Sequence, residues 1–319
     1  MARELNCTDA PAEAATDGNV AGAGVLLSFI ITAALSLVLS LVIVAHEKHG
    51  HSSVKTIRKL LLSLSDQQIL TGIGIQSIAL AKMTTMVPYH FFIVWMLSLL
   101  STATHVGTLL ALVNDFKRDW VLRWLRQVLM FVNLLLSIVS GIFILMSVMK
   151  DVPPTLPIAC VWEVESTGTP SNAGTSIAGT IAVIVGQLVF FVVGVWYLHV
   201  KNRAWLKSIQ LGGLLVLSII GMFAAIRVIM ISQAFGNPSV PLRDMGEKIW
   251  DFGQLLPLLL LLLPLVSMIE IMRGEMNIPC PLLDGHGEPL LQDGEKLACD
   301  RRSFQPNPFW GTEMNQFGK

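Results

Sequence analysis

Long apolar runs separated by short polar connectors dominate this chain. Seven of them, 22–45, 60–81, 91–113, 128–149, 177–200, 209–233 and 252–271, each reach the length of a bilayer span. A hydrocarbon core of ~30 Å needs about 20 helical residues to cross it. The runs are continuous rather than alternating, which predicts helices and excludes the two-residue period of a membrane barrel. The fold class expected is therefore all-α: an integral membrane bundle of seven transmembrane helices. Residues 1–21 form a tail on one side, 22–272 the helical domain, and 273–319 a Pro/Gly/charge-rich tail expected to be disordered. No connector is long enough to bury a soluble core of its own. Pro257 and Pro264 predict kinks in the seventh helix.

Composition agrees with this pattern, at a mean hydropathy of +0.64 with 14% charged residues. Net charge is +0, so no charge excess selects nucleic acid as a partner. Charge is instead sorted by connector. Lys48, Lys55, Arg58 and Lys59 follow the first run, Lys117, Arg118, Arg123 and Arg126 the third, and Lys201, Arg203 and Lys207 the fifth. The positive-inside rule then puts the N-terminus outside and the C-terminal tail in the cytoplasm. Residues 1–20 lack a basic n-region, so the first run reads as an uncleaved anchor. Asn6-Cys7-Thr8 is a glycosylation sequon on the outer side. Cys7 and Cys160 share that oxidising side, where they are able to pair, whereas Cys280 and Cys299 belong to a reducing one. The lipid bilayer is the partner this reading requires, in an endomembrane or the plasma membrane.

Polar groups inside the runs carry the candidate chemistry, because each is costly in hydrocarbon and needs a partner. The densest cluster is Ser63-Leu64-Ser65-Asp66-Gln67-Gln68 in the second run. Helical spacing puts Ser63, Asp66, Leu70, Gly74 and Ser77 on one stripe and Gln68, Gly72 and Gln76 on another. His105 in the third run and Asn133 in the fourth fall at similar depth to Asp66. Two uses fit the trio: an intramembrane acid with an imidazole partner, or a hydrogen-bond network that locks three helices. Nearer the outer face, His90 and Arg227 are candidates for ligand contact. Arg227 is also placed to snorkel and to pair with Asp244, Glu247 or Asp251. His46, His49 and His51 lack the further ligands a metal site needs, so neither a metal nor another cofactor is expected. No nucleophile elbow, phosphate loop or dinucleotide fingerprint occurs.

Leu64-Ser65-Asp66-Gln67-Gln68 with Thr71-Gly72, then Tyr89-His90, then Ser101-Thr102-Ala103-Thr104-His105, resembles a family of fungal polytopic membrane proteins carrying Ser-Asp-Gln-Gln, Tyr-His and Thr-His motifs. The likeness spans residues 55–130, is topological beyond, and implies seven helices without an assigned activity. In helix number alone the chain is similar to fungal membrane terpene cyclases of secondary metabolism. Those protonate a lipophilic prenyl substrate with buried carboxylates, a part that Asp66, or Glu270 at a helix end, would take here. The seven-helix topology also resembles G-protein-coupled receptors. Yet Val113-Asn114-Asp115-Phe116-Lys117 replaces the Asp-Arg-Tyr end of the third helix, and the seventh lacks Asn-Pro-x-x-Tyr.

The first functional expectation is thus a membrane-embedded cyclase or isomerase acting on a lipophilic isoprenoid-type substrate. Asp66 would be the general acid and His105 its partner, with Gln67 and Gln68 orienting substrate or acid. The second is a receptor or sensor whose 150–176 loop and outer polar residues bind a ligand. The third is a small-molecule transporter, favoured by the buried polar residues alone.

Overall fold

The computed structural model describes residues 7–48, 55–118, 120–165, 168, 170, 173–200 and 206–275. Asn6, His49, His51, Cys280, Cys299 and the tail from 276 onward lie outside the described residues. The helices are α1 Gly18–Ala21, α2 Ala23–Lys48, α3 Lys55–Ala81, α4 Pro88–Ala111, α5 Val113–Arg118, α6 Trp120–Met149, α7 Gly174–His199, α8 Leu206–Ile231, α9 Phe252–Leu260 and α10 Leu262–Glu275. Short 3₁₀ turns occupy Ile158–Trp162 and Gly246–Lys248. Among the described residues no strand forms, and one isolated bridge pairs Ala14 with Leu242.

Among the described residues, six helical stretches are long and apolar enough to cross a membrane: Gly18–Glu47, Pro88–Ala111, Trp120–Met149, Gly174–His199, Ser208–Ile231 and Gly246–Glu270. The chain is a multi-pass integral membrane protein. The second expected span, 60–81, lies within the 27-residue α3 but is not among the six. Asp66, Gln67, Gln68 and Gln76 dilute its apolar character. Its length still suffices for a crossing.

Met1–Leu265 form one compact unit and Val266–Lys319 another. In the first, α4 is the central helix, packed against α2, α3, α6, α7 and α8. Every residue from Ile93 to Ala111 is buried. A helix enclosed on all sides is normally apolar throughout, but α4 carries Ser98, Ser101, Thr102, Thr104, His105 and Thr108. Four of these hydroxyls bond to the preceding turn of α4 itself, Ser98 donating to the Trp95 carbonyl at 2.7 Å. Thr102 donates to the Ser98 carbonyl at 2.9 Å, Thr104 to that of Leu100 at 3.0 Å, and Thr108 to that of Thr104 at 2.9 Å. Small hydroxylated residues thereby let neighbouring helices approach closely without stranding a polar atom. Gly72 of α3 shows how tight that approach is, since a Cβ there would lie 2.6 Å from the Ser101 hydroxyl.

The expected kink in the last span is a break between α9 and α10 at Leu261. Pro264 has no N–H for the Leu260 carbonyl, and its ring crowds that same carbonyl. The chain turns there through a Leu261 N–H to Leu258 carbonyl bond of 3.1 Å.

Candidate functional site

Four segments distant in sequence are tied together at one end of the bundle. Cys7 and Cys160 form a disulfide, fixing the N-terminal segment to the 3₁₀ turn after α6. The Ala14 N–H donates to the Pro241 carbonyl, and the Arg243 N–H to the Ala14 carbonyl, both at 2.9 Å. Asp17 pairs with Lys82 at 2.7 Å. The Ile158 N–H donates to the Met86 carbonyl at 2.8 Å, and Lys150 donates to the carbonyls of Val161 and Val164. The result is a cap of loops over the starts of α2 and α4.

Beneath this cap sits a closed polar node. The Glu247 side chain is 0% exposed. One carboxylate oxygen lies 2.7 Å from His90 Nε2, and the other accepts from the Tyr89 hydroxyl at 2.9 Å. Tyr89 in turn accepts the Gln233 backbone N–H at 2.8 Å. The Gln233 amide donates to the Asp244 carbonyl at 2.6 Å and accepts from the Glu247 N–H at 3.4 Å. A fully buried carboxylate is tolerable only when paired and hydrogen-bonded in this manner. Sequence reasoning selected His90 and named Glu247 only as one of three acids within reach of Arg227. The signal for the right pairing was Tyr89-His90 at the start of a span, two adjacent polar residues that together fit one carboxylate.

Arg227 stands beside this node without an anion. Its three expected partners are all committed elsewhere. Asp244 accepts from Thr16 and from the Gly246 N–H, Glu247 from Tyr89 and His90, and Asp251 caps α9 by accepting the Gln254 N–H at 2.9 Å. Among the described residues Arg227 makes no ion pair. Arg227 is itself exposed and lines an open cleft of about 240 Å³ with Pro88, Tyr89, Phe92, Pro154, Ile231, Ser239 and Val240. The Thr16 hydroxyl, then the Gly246 N–H and the nearby Arg243, hold the Asp244 carboxyl below the usual carboxylate range.

The remaining sequence candidates divide into two further groups. Asn133 joins α3, α4 and α6, accepting from Gln76 at 2.8 Å and donating to Thr102 at 3.2 Å. One turn away the Ser98 and Ser137 hydroxyls meet at 2.8 Å, and Ser137 donates to Gln187 of α7 at 2.6 Å. The Gln68 backbone carbonyl accepts from Ser101 at 3.1 Å, and its amide donates to the Phe29 carbonyl of α2 at 3.5 Å. The Gln68–Gly72–Gln76 stripe is therefore the face of α3 that meets the bundle.

Asp66 is corrected by the same geometry. Its stripe turns away from the interior, with Leu70 58% exposed and open space beside Gly74. The Asp66 side chain is 51% exposed and pairs at 2.6 Å with Arg126, which is 5% exposed. Arg126 also donates to Ser65 at 2.7 Å and lies 5.0 Å over the Phe116 ring. A helix presents one face inward, and the tight fit of Gly72 against Ser101 claims it here. No hydrogen bond joins His105 to Asp66. His105 is buried in α4, its Nδ1 without a hydrogen-bond partner among the described residues, as is the Gln67 Oε1. Arg126, counted in the sequence only as a loop cation, is the residue that reasoning missed. Its signal was helical periodicity: Arg126, Met130, Asn133 and Ser137 share one face of α6.

Near the basic-loop end, Arg58 bridges Glu47 of α2 and Asp115 of α5. Lys117 donates to the Val200 carbonyl at 2.6 Å, and burial holds its ammonium below the usual lysine range. No protein-family profile, curated protein or solved structure matches this chain.

Proposed function

We propose that this multi-pass protein is a receptor or sensor of the seven-helix type, which binds a small lipophilic ligand at its disulfide-tied end. The observation that carries this reading is Arg227, an exposed guanidinium without an ion pair among the described residues, in a largely apolar open cleft beside the ordered loop cap. Binding sites combine apolar walls with few placed polar groups in this way. Cysteine pairing needs an oxidising compartment, which supports placing that end outside, in agreement with the basic loops at the other. The central helix α4 supports transmission of a ligand signal. It begins at Tyr89 and His90, and its other end meets α5, where Asp115 holds Arg58.

The cyclase reading set Asp66 and His105 together in the bundle interior, whereas the Asp66 side chain is 51% exposed on the flank of α3 and pairs with Arg126. A second reading retains an enzyme with different residues. Glu247 against His90 is a buried carboxylate–imidazole pair beside the cavity, and such pairs move protons. Metabolite profiling separates the two in cells lacking this protein, complemented with the native chain or with Glu247→Gln. A receptor leaves no accumulated precursor that the native chain clears. A lipophilic intermediate cleared by the native chain and not by Glu247→Gln would overturn the receptor reading.

A further inference from the structure

We infer that the cavity beside Tyr89 takes a small organic anion, its carboxylate held by Arg227 and its apolar body seated against Phe92, Ile231 and Val240. The inference rests on the ligand-binding reading above and deepens it.

Charge comes first. Arg227 lies four residues before the end of α8, in a segment apolar enough to cross a membrane. A guanidinium there needs an anion or water for its five N–H donors. Every carboxylate that sequence proximity offers is bound to other groups, as shown above for Asp244, Glu247 and Asp251. Arg227 is exposed into the cleft, so its counter-charge is left to a molecule that enters there. Planar guanidinium matches a carboxylate through two parallel hydrogen bonds.

Shape and polarity narrow the ligand further. About 240 Å³ falls below the usual 300–1,000 Å³ of drug-sized sites, so the occupant is compact. Besides Arg227, the wall offers one aliphatic hydroxyl, Ser239. The Tyr89 hydroxyl is already committed to Glu247 and to the Gln233 N–H, so Tyr89 contributes its ring. Pro88, Phe92, Pro154, Ile231 and Val240 complete an apolar lining. One cation and one hydroxyl on apolar walls suit a monoanion with an aromatic or branched body better than a sugar or a polyanion.

The test uses the full chain in nanodiscs of zwitterionic lipid and, in parallel, in nanodiscs that also contain anionic lipid, with thermal unfolding and calorimetric titration as readouts. Benzoate is the anionic probe, benzyl alcohol its neutral counterpart, and inorganic phosphate the anion without an apolar body. The expected result is saturable stabilisation by benzoate, little by the other two, and a Kd raised about tenfold or more in Arg227→Gln. Arg227→Lys, which keeps the charge but not the paired donors, should fall between. Equal stabilisation of native chain and Arg227→Gln by benzyl alcohol overturns the anion and leaves a neutral ligand for the receptor. Stabilisation only by anionic lipid in the nanodisc, lost in Arg227→Gln, overturns a free ligand in favour of a headgroup. No response to any probe overturns the inference, while the metabolite experiment still decides the receptor reading.

Discussion

Glu247 and Asp66 each meet a basic side chain at hydrogen-bond distance, yet their surroundings are opposite. Glu247 is sealed beneath a cap built from segments distant in sequence and is bound by two side chains. Asp66 lies half exposed on the flank of α3 and is bound by one arginine that is itself buried. In the first pair both members are buried, in the second only the base is. Removing a partner costs most when the group left behind is buried and unpaired. The two sites should therefore respond to substitution in different ways.

The largest effect belongs to the closed node. Glu247→Ala leaves the Tyr89 hydroxyl and the His90 ring without their acceptor. It should destabilise the detergent-solubilised protein by about 3–5 kcal/mol, read as loss of cooperative thermal unfolding at its native temperature. A smaller loss than in Asp66→Asn would reverse the contrast drawn here. Next comes the cap. Cys7→Ser should cost about 2–4 kcal/mol and open the segment around Ala14 and Asp17 to limited proteolysis, while the spans stay protected. Uncapped yet unchanged proteolysis would mean that the Ala14–Leu242 pairing and the Asp17–Lys82 bridge hold the segment alone.

At the half-exposed site, Asp66→Asn keeps an oxygen for Arg126 but removes the counter-charge of a buried guanidinium, and should cost about 1–3 kcal/mol. Arg126→Met should be tolerated better than Arg126→Ala, because the methionine fills the buried stem volume without leaving a charge. A thermal-shift comparison of the three decides whether the arginine acts by charge or by packing.

The smallest effect is pH-dependent. The Asp244 carboxyl is held low in the folded protein, so its stabilising contribution is present above the unfolded value near ~3.9. It is lost as pH falls through the folded value. Hydrogen exchange around Thr16 should accelerate in that acid window in the native chain and be flat there in Asp244→Asn.

Legibility differed between these regions for a physical reason. The bilayer reads the sequence one segment at a time, so apolar length alone exposes the helices, and α2, α4, α6, α7 and α8 fall where the apolar runs lie. The Gln68–Gly72–Gln76 stripe was readable because helical spacing alone aligns it. Which stripe of α3 points inward was not readable, since Asp66 and Gln76 both argue for burial by their polarity. The deciding contact, Gly72 against Ser101, is tertiary. Glu247 lay in a connector, where polarity carries no cost signal, and only the folded cap reveals it as the most enclosed acid of the pair. Arg126 was hidden by its position in a basic stretch whose charges orientation already explains.

The hydroxyl bonds of α4 bear on the order in which the protein is made. α4 leaves the ribosome before α6, α7 and α8, three of the helices that will enclose it. Because Thr102, Thr104 and Thr108 bond to carbonyls of their own helix, those hydroxyls enter lipid already satisfied. Gln76 is less independent: its amide donates to the Gly72 carbonyl of its own helix at 3.0 Å, but its second bond, to Asn133 at 2.8 Å, crosses to another helix. Synthesis can thus set the centre of the bundle down first and leave it waiting, while the glutamine of α3 stays half-finished until α6 arrives.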